Sequence, residues 1–152
     1  MAKTSLITGA SSGLGAEYAR QMAARGDALV LVARDAQALE QLASELRGAH
    51  RVEVEVIAAD LLSAEGIERV VARLSDEAHP VDVLVNNAGF GLSLAFETND
   101  IEAEVRHLRL HNEVPMRLSH AALQGMLARR RGIIINVASV AGMRPAPGIA
   151  FY

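Results

Sequence analysis

Short apolar runs alternate along the chain with stretches whose apolar residues recur every three or four positions. The run "SLIT" (5–8) reads as a short buried strand, and residues 13–25 read as a helix closed by Gly26. "ALVLVA" (28–33) is a second strand, and "DAQALEQLASELR" (35–47) is a helix that ends at Gly48. Residues 51–59 alternate at period two before turning fully apolar, as a third strand would. A helix over 64–78 follows, with Ser63 placed to cap it. "VDVLV" (81–85) is a fourth strand, a long helix spans about 100–130, and residues 133–139 form a fifth strand. Asn99 and Glu102 have the spacing of a capping box at the start of the long helix.

Strands that alternate with helices imply a parallel sheet covered on both faces. The predicted fold class is therefore α/β, a doubly wound parallel sheet (Rossmann type), with a strand order that begins 3-2-1-4-5. The pattern stops after the fifth strand. The chain is expected to be a single dinucleotide-binding domain over 1–152, incomplete at its C-terminus.

Composition narrows the function classes. Hydrophobic residues make up 51% and the net charge is only -3, which gives no electrostatic reason to expect nucleic acid or an anionic membrane as partner. The one basic cluster, Arg129-Arg130-Arg131, fits a helix C-terminus, where cations complement the dipole. There is no cysteine, so disulfides and thiolate chemistry are excluded. Neither a secretory leader nor a membrane-length apolar run is visible, and the expected location is cytoplasmic.

Chemistry concentrates at strand ends. "TGASSGLG" (8–15) follows the first strand and opens the first helix, with glycines at Gly9, Gly13 and Gly15. Glycine permits the tight turn and lets backbone approach a pyrophosphate without a Cβ in the way. The helix N-terminus then offers N–H groups and a positive dipole end to that phosphate. Gly15 would also let the helix lie close on the sheet. After the second strand stands Arg34, where an NAD site usually has an acidic residue for the ribose 2′-OH. Its charged planar fork suits a 2′-phosphate, so the expected cofactor is NADP (NADPH), and Asp35 fits as the cap of the next helix. His107 and His111 share a helix face with Glu104; that spacing permits a metal, but with no second ligand cluster the expectation is a solvated face and no metal site.

At this point the sequence resembles a known family, the short-chain dehydrogenases/reductases. "TGASSGLG" is similar to its cofactor motif and "NNAG" (86–89) to its second signature. The resemblance extends the cofactor-binding set to Ser11, Ser12, Leu14, Asp60 and Leu61, with Asp60 beside the adenine ring, and to Asn87, Ala88 and Gly89. It implies catalytic roles for Asn112, Ser139 and Tyr152, with Tyr152 placed 13 residues after Ser139. In that chemistry a serine hydroxyl hydrogen-bonds the substrate oxygen, a tyrosine delivers the proton, and an asparagine anchors a water in the relay. Pro115 lacks an N–H for the His111 carbonyl, so the helix should be disturbed beside Asn112, where a water could bind. The family's lysine would fall four residues beyond Tyr152, past the last residue. The implied function is NADP(H)-dependent hydride transfer between nicotinamide and a small-molecule carbonyl/alcohol substrate, with the full-length form a homo-oligomer. The 152-residue chain itself is expected to be nearly inactive, and the alternative is a truncated, non-catalytic nucleotide-binding fragment.

Overall fold

The computed structural model describes residues 3–92 and 95–143. Five parallel strands run in the order β3-β2-β1-β4-β5. They are β1 (Thr4–Thr8), β2 (Ala28–Ala33), β3 (Val54–Ala58), β4 (Val83–Asn86) and β5 (Ile133–Asn136). The predicted order and class are what is found. The crossovers are helices α1 (Gly13–Ala24), α2 (Ala36–His50) and α3 (Ala64–Leu74), then a composite helix between β4 and β5.

The period-two alternation of each strand sends side chains to two separate cores. On one face Leu6, Val30, Val32, Ile57 and Leu84 pack on α3 and on the last helix of the composite. On the other, Ile7, Leu29, Leu31, Val83 and Val85 meet α1 and α2. The registers Leu6↔Val30 and Leu6↔Leu84 keep each set on its own face. Leu6, Ile7, Leu31 and Leu84 are wholly buried, and each such side chain contributes about 1.5–3 kcal/mol of transfer free energy. β3 and β5 form the sheet edges, and Ile133 of β5 is 47% exposed.

Local capping follows the sequence in two places and departs from it in two. The Asp35 carboxylate accepts from the Ala38 N–H at 3.0 Å and Ser63 Oγ accepts from the Gly66 N–H at 3.0 Å, as expected. Helix α2 does not stop at Gly48. It runs to His50, and Arg51 takes the left-handed conformation that ends it (φ 57°). Nor do Asn99 and Glu102 form a capping box. Asp100 caps the helix instead, accepting from the Glu102 N–H, while the Asn99 amide donates to the buried Glu104 carboxylate at 2.9 Å. A 3-10 turn over Phe96–Thr98 ends at Asn99, which leaves the following aspartate at the helix start, where its charge also suits the dipole.

The predicted continuous helix over 100–130 is three segments: α4 (Ile101–Leu108), a π turn (Arg109–Glu113) and α5 (Val114–Ala128). Pro115 is the cause legible in the sequence. It cannot donate to the carbonyl four residues back, and the Val114 N–H reaches five back, to Arg109. Glu113 holds the turn from both sides, accepting from Arg109 (3.1 Å) and Arg117 (2.8 Å). Beyond α5 the arginine cluster works as a helix end. Arg129 donates to the Val81 carbonyl and Arg131 pairs with the buried Asp82, tying α5 to the entry of β4. Among the described residues no helix is long and apolar enough to cross a membrane.

Candidate active site

The C-terminal ends of β1, β2, β3 and β4 open onto one cleft of about 790 Å³. Its lining includes Gly9, Ser11, Ser12, Leu14, Arg34, Asp60, Leu61, Asn87, Ala88 and Gly89. These are ten of the twelve cofactor-binding residues expected from the sequence, so residues up to eighty positions apart meet at one strand-end crevice. Gly13 and Gly15 are not part of the lining, and each has its own function in the loop.

The glycine loop and the second motif are knit together by Thr8. Its hydroxyl accepts from the Asn87 and Ala88 N–H groups, both at 3.0 Å, and donates to the Val85 carbonyl. Asn87 returns the contact, its amide donating to the carbonyls of Thr8 (3.0 Å) and Gly9 (3.3 Å). Gly9 needs its missing side chain: its φ is +67°, and a Cβ there would sit 2.9 Å from Ala88 Cα. A Cβ on Gly15 would run into the Gly9 carbonyl and lie 2.6 Å from the Asn87 amide, so this glycine sets how closely α1 approaches the loop. Ser12 is the N-cap residue of α1, yet its hydroxyl makes no capping hydrogen bond. The first-turn N–H groups of α1 are thus left without a side-chain cap, as an anion site requires.

Arg34 stands immediately after β2, is exposed, and is in no ion pair among the described residues. Asp60 is held by its own turn, its carboxylate accepting from the Leu62 N–H at 3.0 Å. The loop carrying it is tied to β2 by the Ala59 N–H donating to the Ala33 carbonyl.

The expected catalytic residues sit apart from this lining. Ser139 follows β5 and is half-buried, and its Oγ accepts from the Ala141 N–H at 3.1 Å. Asn112 lies exposed in the π turn, its amide donating to the Leu108 carbonyl at 3.3 Å. Tyr152 lies outside the described residues.

Sequence reasoning missed several parts of the site. Thr8 was read only as a strand end. Phe90 and Leu110 also line the cleft, and only the position of Phe90 directly after "NNAG" marked it. The expectation of a solvated face for the histidines is corrected by the structure. His107 is 2% exposed, its ring edge-on to Phe90 with centroids 5.5 Å apart and 4.1 Å from that of His111. The reason is the loop after β4, which folds back over the helix and covers that face. Among the described residues no cluster of ligands could hold a metal ion.

Burial holds the His107 imidazole below its ordinary pKa, and the neighbouring His111 charge adds to this; Glu104 and the Phe90 backbone pull the other way. Folded His107 is therefore neutral where an unfolded chain, with a pKa of about 6.5, begins to take up a proton. Stability from this group is complete above about pH 6.5 and is lost as pH falls through the window below it. Urea unfolding at about pH 7 and about pH 5.5 should show a drop in wild type that is smaller in His107→Phe. Equal drops in both proteins would contradict this account of the cluster.

The family model described as short chain dehydrogenase matches residues 3–152. The chain belongs to the short-chain dehydrogenase family. Relatives are similar over nearly the whole chain. The very-long-chain 3-oxoacyl-CoA reductase of Anas platyrhynchos is 34% identical, over 97% of this chain and 48% of its own length. Among solved structures, the bulky-bulky ketone specific alcohol dehydrogenase of Comamonas testosteroni is 40% identical with a TM-score of 0.91, covering 94% of this chain and 57% of that one. A short-chain dehydrogenase of Sphingobium yanoikuyae in complex with NADPH is 40% identical with a TM-score of 0.90, covering 93% and 55%. The chain spans about half the length of the curated relatives it matches.

Proposed function

We propose that residues 1–152 form the nucleotide-binding domain of an NADP(H)-dependent oxidoreductase acting on a carbonyl or alcohol substrate. The observation that carries this reading is the strand-end cleft with an uncapped helix N-terminus at its middle and an unpaired arginine at one end. That pair of features suits a dinucleotide bearing an extra phosphate on its adenosine ribose. The NADPH bound by the Sphingobium neighbour supports the same choice.

The residues fit such a group. Gly9 and Gly15 keep side-chain atoms out of the loop, while Ser11, Ser12 and the N–H groups of Gly13 and Leu14 would hold the pyrophosphate. Arg34 would take the 2′-phosphate, Asp60 and Leu61 the adenine, and Asn87, Ala88 and Gly89 the nicotinamide ribose. When bound, the nicotinamide donates or accepts the hydride. The chain's own groups would manage the oxygen and its proton. Ser139 Oγ already accepts from Ala141, which leaves its O–H to donate to the developing oxyanion. Asn112 uses its amide nitrogen on Leu108, which leaves its Oδ1 to hold a water. Tyr152 would pass the proton. The exposed apolar residues Ile101, Val105, Leu108, Leu123 and Leu127 on α4 and α5 favour assembly of the full-length protein through these helices.

Fluorescence titration with NADPH tests the reading. Saturable binding that is displaced by adenosine 2′,5′-bisphosphate is expected. Absence of NADPH binding at millimolar concentration would refute it.

A further inference from the structure

We infer that His111 is a positioning residue for the nicotinamide half of the cleft, its ring forming the rear support of the Gly89–Phe90 segment. The inference rests on the proposed nucleotide-binding function. Thr8 fixes Asn87 and Ala88 through their N–H groups, but its reach ends there. The next two residues, Gly89 and Phe90, still line the cleft. They lie on histidine rings. A Cβ on Gly89 would come 2.6 Å from His111 Nε2 and 3.3 Å from its Cδ2, so the imidazole fills the space where a side chain at position 89 would go. Phe90 packs at 5.9 Å from the same ring and edge-on to His107.

The support is itself held in place. His111 Nδ1 lies 2.9 Å from the His107 carbonyl, which can only accept, so Nδ1 carries a proton and the ring's orientation is set. The His107 ring stacks 4.1 Å behind it and is buried. Both the ring and Asn112 ride on the π turn, so one irregular turn carries the cleft's rear support and a catalytic candidate side by side. The far end of the cleft has separate supports. Arg34 and Asp60 hang from β2 and β3, and the bonds that fix them involve neither histidine. Removing the ring should therefore disturb one half of a bound dinucleotide and spare the other.

The experiment compares NADPH with adenosine 2′,5′-bisphosphate, which has only the adenine half, by calorimetry on wild type, His111→Ala and Gly89→Ala. His111→Ala is expected to weaken NADPH on the order of tenfold while the bisphosphate affinity stays within about twofold. The fluorescence enhancement of bound NADPH, which reports the surroundings of the nicotinamide, should fall as well. Gly89→Ala, which presses a methyl onto the ring from the other side, should show the same selective loss, and it decides the matter if His111→Ala does not fold. Unchanged NADPH affinity in these variants, or equal losses for both ligands, would overturn the inference. Wild type that binds the bisphosphate but not NADPH, or neither, would instead refute the proposed function, and the inference with it.

Discussion

Arg34→Asp is expected to reverse the preference between NADPH and NADH. In wild type the guanidinium is exposed at the end of β2 with no carboxylate engaging it, so nothing must be broken before it meets a phosphate. The neighbouring Asp35 is occupied in capping α2. A charge-assisted hydrogen bond of this kind contributes about 1.5–3 kcal/mol, which is roughly tenfold to hundredfold in affinity for NADPH. An aspartate at this position would repel the 2′-phosphate and accept from a ribose hydroxyl, adding a second factor in the opposite direction. Competitive titration of both cofactors against both proteins measures the swing. The wild-type preference should shrink as salt is raised, because the site is open to solvent. Equal affinities of wild type for the two cofactors would remove the basis for an NADP site.

Gly15→Val should abolish measurable NADPH binding, a loss on the order of hundredfold or more, by moving the helix rather than by blocking the ligand. The added Cβ meets the Gly9 carbonyl and the Asn87 amide, the two groups that close the loop onto the second motif. Relief requires α1 to back away, which carries the helix N-terminus off the phosphate position. Overpacking of this kind costs roughly 1–3 kcal/mol in stability, so the protein should still fold. Gly13→Val is the informative contrast. Gly13 has φ +53° and open space around its would-be Cβ, so its substitution strains only the local backbone and places a side chain at the mouth of the loop. Circular dichroism and calorimetry on both variants separate the two. Normal binding by Gly15→Val would reduce the glycine loop to a simple turn.

Much of this was legible in the chain. Continuous apolar strands at regular spacing specify a parallel sheet, because only helices on both faces can bury them. Gly9, Gly15, Ser63 and Asp35 were readable because each satisfies a local backbone demand, which depends on near neighbours in sequence. What stayed hidden depends on distant partners. Thr8 matters through Asn87 and Ala88, nearly eighty residues away. His107 and Glu104 occupy buried positions on the stripe that Val114 and Leu118 continue, but they are polar, and a hydrophobicity pattern counts such residues as solvent-facing. Their burial follows from the loop folded over them. Pro115 announced a disturbed helix without revealing its form, since a kink and a π turn begin from the same missing donor.

The π turn also makes this part of the chain unequally tolerant of change. Each residue advances a helix by about 100°, and the extra residue between Arg109 and Glu113 sets the angular phase of everything after it. Val114, Leu118, Ala122 and Met126 face the core only in that phase. Deleting any one residue of the turn would restore a regular helix and rotate that buried face by about 100° toward solvent. Side chains in this turn can therefore vary while their number cannot. Libraries of single-residue deletions should show a sharp intolerance here, against ready acceptance at the exposed loop around Glu77.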